Sequence, residues 1–162
     1  MAMILDCDEI MPGRLWVGGY VRAEDAGRLK QMGFTVLFSL QSDRDLADYN
    51  ISEEKLLKAC ALAEIAFYRR PTADFDTRAL MDNLPKAVED LEKALGPQEA
   101  KAYVHCTAGI NRAPTLAAAY LIRTRGWTAR EAFDFVAARR QCNPYLTVLE
   151  EYETYLKTAD PA

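Results

Sequence analysis

The stretch Ala102–Arg123, AYVHCTAGINRAPTLAAAYLIR, leaves this chain few architectures to choose from. Ala102 to His105 is apolar and suited to a buried strand, whereas Arg112 to Arg123 is dense in Ala and Leu, the strongest helix formers. A strand that passes through a tight loop of small residues straight into a helix is half of a crossover unit. Such units build parallel sheets covered by helices.

The rest of the chain repeats that alternation. Leu15-Trp16-Val17 is a short apolar stretch, and Ala23 to Met32 predicts a helix with Ala26, Leu29 and Met32 on one face and Gly33 at its C-cap. Thr35 to Leu40 predicts a buried strand and Ile65 to Tyr68 another, while Ser42 to Asn50 reads as a polar turn. Ser52 is placed to cap a helix running through Ala63, with Glu53 and Glu54 in its first turn. Leu80, Leu84, Val88, Leu91 and Leu95 recur at helical spacing until Gly96-Pro97 stops them. Thr128 and Glu131 predict a capping box for a helix through Arg139, Asn143-Pro144 a turn, and Leu146 to Leu156 a last helix. The expectation is one domain over residues 1–162, of α/β class, with a mostly parallel central sheet flanked by helices.

Composition narrows the function. Twenty Lys plus Arg against 24 Asp plus Glu leave a net charge of −4, which argues against a surface for nucleic acid or anionic membrane. No apolar run approaches the roughly 20 residues needed to span a bilayer. Met1 to Glu9 is acidic and carries no signal-peptide or transit pattern, so the expected compartment is the cytoplasm, or a plastid if a transit segment has been removed. The cysteines are Cys7, Cys60, Cys106 and Cys142, with no C-x-x-C pair and a single His, which points away from a zinc site. No metal or organic cofactor is expected, and the thiols are expected to be reduced. Cys7, Cys60 and Cys142 read as structural.

Cys106 is different because it stands at the carboxyl end of a strand, beside the only His and ahead of a helix N-terminus. Free N–H groups and the positive end of the helix dipole let Thr107, Ala108, Gly109, Ile110, Asn111 and Arg112 wrap a tetrahedral oxyanion, and the same field favours an anionic sulfur. Gly109 permits a conformation that a side chain resists. Arg112 can grip two phosphate oxygens with its planar fork. His105 reads as a residue that orients the loop, and Asn111 could also serve as the N-cap of the helix.

His105-Cys106, five residues and then Arg112 resembles the signature of the protein tyrosine phosphatase superfamily, and within it the dual-specificity branch. The resemblance implies the cysteine-phosphatase fold, Cys106 as nucleophile, and a general acid on a separate loop before the cysteine. Asp74, 32 positions ahead of Cys106, takes that place, with Asp76 as the alternative. Cys106-Thr107-Ala108-Gly109, Arg112-Ala113-Pro114, Asp74-Phe75-Asp76, Leu84-Pro85-Lys86-Ala87-Val88 and the segment Phe38 to Leu46 resemble the glucan phosphatases of plants, relatives of laforin. That family's loop reads Cys-x-Ala-Gly-x-Gly-Arg, and Asn111 here stands where its second Gly belongs. Ala113 replaces the Ser or Thr that most dual-specificity enzymes carry, as it does in glucan phosphatases. The resemblance further implies aromatic contacts to sugar at Tyr49 and Phe75, with Tyr145 as a third. The expected substrate is a phosphorylated glucan. The alternatives are a phosphoprotein substrate, a phosphoinositide, which the absence of Lys and Arg from Thr107 to Asn111 disfavours, and a non-catalytic module that binds phosphoglucan.

Overall fold

A computed structural model describes residues 4–159; the first and last three residues of the expected domain lie outside the described residues. Five strands, β1 (Cys7–Met11), β2 (Leu15–Gly18), β3 (Val36–Ser39), β4 (Ala66–Arg69) and β5 (Ala102–His105), form one sheet in the order β1-β2-β5-β3-β4. All neighbours are parallel except β1 and β2. The helices are α1 (Ala26–Gln31), α2 (Asp43–Asp48), α3 (Glu53–Leu62), α4 (Thr77–Ala94), α5 (Arg112–Arg125), α6 (Ala129–Arg139) and α7 (Leu146–Ala159). None is long and apolar enough to cross a membrane.

Alternation along the strands divides the core. Val36, Phe38, Ala102 and Val104 face α4, α5, α6 and α7, while Leu37 and Tyr103 face α1 and α3 with Leu29, Leu56 and Cys60. Helix α5 is buried from Arg112 to Ile122, so it is the central helix of its layer, and its run of alanines lets the sheet and three helices approach it closely. It ends at Gly126, whose φ of 68° is the left-handed C-cap conformation.

Several local expectations needed revision. Cys7–Met11 is a strand although its sequence is acidic, because it is the sheet edge: Ile10 is buried, Glu9 is exposed and Asp8 is half-buried. Ala23 to Met32 splits into a 3-10 turn, Ala23–Asp25, followed by α1. Ser42 to Asn50 contains a helix and not only a turn. There the Ser42 hydroxyl accepts the Asp45 N–H at 3.2 Å and the Asp45 carboxylate accepts the Ser42 N–H at 2.8 Å, a reciprocal cap that nucleates α2. Conversely, Thr128 accepts the Glu131 N–H but Glu131 does not reach back, so only half of that expected box forms.

Strand β5 lies between β2 and β3, and the carboxyl ends of all three open on the same edge. This is where the chain, having left β2, skips a sheet position that β5 later fills. A crevice at such a switch point is the natural ligand site of an open α/β sheet.

Candidate active site

Cys106 follows β5 directly and is almost wholly buried at the base of the crevice. From Cys106 to Asn111 every backbone carbonyl is tied outward. His105 Nδ1 donates to the Cys106 carbonyl at 3.0 Å, and the Tyr20 N–H donates to the Thr107 carbonyl at 3.0 Å. The Arg140 guanidinium takes the carbonyls of Ala108 and Gly109. The Asn143 N–H donates to the Ile110 carbonyl at 2.8 Å, and the Thr115 hydroxyl to the Asn111 carbonyl at 2.7 Å. Because a trans peptide unit aims its N–H opposite its C=O, the N–H groups of residues 107 to 112 turn inward around one space. None of them donates a hydrogen bond among the described residues.

His105 is fully buried, and burial, reinforced by the charge of Arg112, pushes its pKa down to about 4 against the pull of its bond to the Cys106 carbonyl. The imidazole is therefore neutral near pH 7. Since a carbonyl only accepts, Nδ1 carries the hydrogen, which gives the ring the orienting part the sequence assigned to it.

Arg112, the first residue of α5, is 1% exposed. Its Nη1 donates to the Asp45 carboxylate at 2.6 Å and to the Thr72 carbonyl at 2.8 Å. Nε is buried with no hydrogen-bond partner, and Nη2 makes no hydrogen bond among the described residues. One corner of the guanidinium is thus fixed, while the Nε–Nη2 edge makes no hydrogen bond and is available for a second bidentate contact. Burial disfavours the charge on Asp45, but the bonds from Arg112 and the Ser42 N–H outweigh it and hold the carboxyl below its ordinary value. Asp74 brings Oδ1 to 3.4 Å from Arg112 Nε and accepts the Phe75 N–H at 3.1 Å. Asp76 instead accepts the Ala79 N–H at 2.9 Å as the N-cap of α4. The structure therefore sets Asp74 beside Arg112 and gives Asp76 another task.

A family model for the dual specificity phosphatase catalytic domain matches residues 15–154. The chain belongs to the dual specificity phosphatase family. Its relatives include the amyloplastic phosphoglucan phosphatase DSP4 of Castanea sativa, 32% identical over 78% of this chain and 34% of that protein. The chloroplastic phosphoglucan phosphatase LSF1 of Arabidopsis thaliana is 26% identical over 81% of this chain and 22% of its own length. The dual specificity protein phosphatase Mpk3 of Drosophila melanogaster is 29% identical over 82% of this chain and 29% of its own length. The chain thus spans about a third or less of the length of these relatives. Among solved structures, PTPMT1 in complex with PI(5)P superposes with a TM-score of 0.79 at 24% identity, covering 95% of this chain and 97% of that one.

The phosphatase loop is flanked by aromatic rings. Tyr49 packs on Tyr20 with centroids 4.9 Å apart, and Tyr20 is the residue whose N–H holds the Thr107 carbonyl. Arg22 braces the pair, its guanidinium 5.4 Å from the Tyr20 ring and bonded to the Tyr49 carbonyl at 2.7 Å. Phe75, beside Asp74, is 80% exposed at a φ of 64°, a left-handed conformation uncommon for a bulky side chain. Tyr145 is half-buried, and its phenol is pushed up by burial and then by the charge of Asp74. Its N–H is held by Thr115 Oγ1 at 2.9 Å, the hydroxyl that also holds the Asn111 carbonyl.

Sequence reasoning missed four residues of the dual specificity phosphatase site. Asp45 was legible in the Ser42-x-x-Asp45 spacing of a capping box. Gln41, fully buried, donates to the Thr107 hydroxyl at 3.0 Å, and Thr72, which holds Arg112, is itself anchored by Asn83 at 2.8 Å. Arg140 carries no local signal that separates it from Arg139. Asn111 also departs from expectation: its side chain makes no cap and donates to the Asn143 carbonyl at 2.8 Å. All four cysteines are unpaired; burial pushes the thiols of Cys7, Cys60 and Cys142 up, the last to about 11. Among the described residues no group of three or more His, Cys, Asp or Glu could hold a metal ion.

Proposed function

We propose that this domain hydrolyses phosphate monoesters of a starch- or glycogen-type glucan through a phosphocysteine intermediate. The observation that carries the chemistry is the ring of six inward N–H groups in the loop after Cys106, closed by the Nε–Nη2 edge of Arg112, which makes no hydrogen bond. The Cys106 sulfur attacks phosphorus as a thiolate, forming S–P while the ester P–O bond breaks. The loop N–H groups and Arg112 hold the equatorial oxygens and take up the charge that develops on them. Asp74, protonated, gives its proton to the departing sugar alkoxide. It then removes a proton from the water that attacks phosphorus, the S–P bond breaks, and phosphate leaves with the Cys106 thiolate restored. Acid catalysis of this kind supplies roughly 10²- to 10⁴-fold, and an alkoxide leaving group needs it most.

The glucan assignment rests on likeness to the two phosphoglucan phosphatases and on Tyr49, Phe75 and Tyr145 around the crevice, whose flat apolar faces suit the C–H faces of sugar rings. Likeness to Mpk3 favours a phosphoprotein as the second reading. The deciding experiment compares phosphate release from phosphorylated amylopectin or glycogen with release from phosphopeptides, alongside Cys106→Ser. Faster release from glucan that Cys106→Ser abolishes is expected. A domain far faster on phosphopeptides is a protein phosphatase, and one whose Cys106→Ser variant keeps the wild-type rate does not use Cys106.

A further inference from the structure

Arg140, just beyond α6, lies behind the loop and is 5% exposed. Nε donates to the Gly109 carbonyl at 2.8 Å and Nη2 to the Ala108 carbonyl at 3.2 Å. The other side of the guanidinium meets two carboxylates, with Nη1 at 3.1 Å from Asp6 and 2.9 Å from Asp8, and Nη2 at 3.2 Å from Asp6. Four of the loop carbonyls are held by backbone N–H, a hydroxyl or a neutral imidazole. The two on Arg140 alone are held by a cation. They belong to the peptide units whose N–H groups are those of Gly109 and Ile110.

These two units are also where the loop is most pliable, because Gly109 has no side chain and sits at a φ of 69°. The contact is close as well. A Cβ on Gly109 would lie 2.5 Å from the backbone of Gly18 and 2.7 Å from Arg140 Nη2. Two carboxylates on one guanidinium more than cancel its charge, so Arg140 adds no net positive potential to the anion space. What it supplies is direction.

We propose that Arg140 is a positioning residue for phosphoryl transfer: through the Ala108 and Gly109 carbonyls it aims the N–H groups of Gly109 and Ile110 at phosphate, and Asp6 and Asp8 fix the plane of its guanidinium. This rests on reading the loop as the phosphate site. It adds a residue that touches neither substrate nor nucleophile, lies 34 positions beyond Cys106 and is tied to the edge strand at the start of the chain.

The test uses the full chain with Arg140→Met, which keeps the length of the stem and removes every donor, and Arg140→Lys, which keeps the charge and loses the planar fork. Orthovanadate affinity, the amide shifts of residues 107 to 112 on vanadate addition, and kcat and KM on an aryl phosphate are measured well below each variant's Tm. Arg140→Met should bind vanadate at least tenfold more weakly, with the shifts of Gly109 and Ile110 collapsing and those of Asn111 and Arg112 preserved. Arg140→Lys should recover part of the affinity. If Arg140→Met does not fold, Arg140→Lys carries the same comparison. A folded variant with wild-type affinity and shifts, or a loss spread evenly over all six amides, overturns the proposal. A wild type that fails to bind vanadate overturns instead the reading of the loop on which it rests.

Discussion

The Asp45 carboxylate and Arg112 Nη1 are 2.6 Å apart and both largely buried, in a pair that joins the first turn of α2 to the first residue of α5. The same carboxylate oxygen accepts the Ser42 N–H, so one atom both starts a short helix and turns the guanidinium toward the crevice.

Removing one member of such a pair leaves the other charge buried without compensation, which costs about 3–5 kcal/mol. Asp45→Ala should therefore lower stability by that order and cut kcat/KM on a small aryl phosphate by about tenfold or more, since 1.4 kcal/mol of lost positioning is already tenfold. Asp45→Asn, which keeps an acceptor, should lie between. Chemical denaturation with steady-state kinetics checks both, and an Asp45→Ala variant of wild-type activity would mean that Arg112 holds its orientation without this partner.

Asp74 and Asp76 should separate cleanly. Asp74→Asn should slow release from glucan more than release from an aryl phosphate with a good leaving group, because only the former needs its leaving group protonated. Asp76→Ala should cost about 1 kcal/mol through the lost cap of α4 and leave the ratio of the two activities unchanged. A change in that ratio on Asp76→Ala, paired with none on Asp74→Asn, would exchange their roles.

The aromatic rim makes a substrate-size prediction. Tyr49→Ala and Phe75→Ala should each reduce kcat/KM on phosphorylated glucan by roughly tenfold, about 1 kcal/mol of lost apolar contact, while sparing an aryl phosphate too small to reach the rings. Phe75→Gly should share that loss and yet raise Tm, because Gly occupies the left-handed conformation without penalty. Equal losses on both substrates would mean that the two rings support the loops around the site and do not contact glucan.

His105 predicts an acid-side loss of stability. Its pKa is pushed down to about 4 in the folded protein against 6.5 for the free side chain, so between these values the unfolded chain binds more protons than the folded one. Stability from this group is complete above about pH 6.5 and is lost as pH falls toward 4, amounting to about 3 kcal/mol at 1.36 kcal/mol per pH unit. Unfolding free energies at pH 7 and 4.5, compared with those of His105→Asn, measure it. The variant should show a flatter dependence over that interval, and parallel curves would contradict the neutral, buried imidazole.

Much of the site could be read from residues that are neighbours along the chain. The strand, loop and helix around Cys106 follow from local propensity and from the small residues between them, and the inward N–H groups follow from a helix N-terminus at a strand end. Those effects act over a few residues, so a linear reading captures them. Even so, Ser42 to Asn50 was misjudged, because counting its charges hid the spacing of Ser42 and Asp45. What only the tertiary structure decided was which distant groups hold that loop and its arginine. Asp45 and Thr72 reach Arg112 from α2 and from the loop ahead of α4, Tyr20 and Asn143 take loop carbonyls from either side, and Arg140 joins Ala108 and Gly109 to an edge strand that the acidic start of the chain did not advertise. Which of many surface-type Arg and Asp residues end up buried as partners depends on how sheet and helices pack, and packing joins residues that the chain keeps far apart.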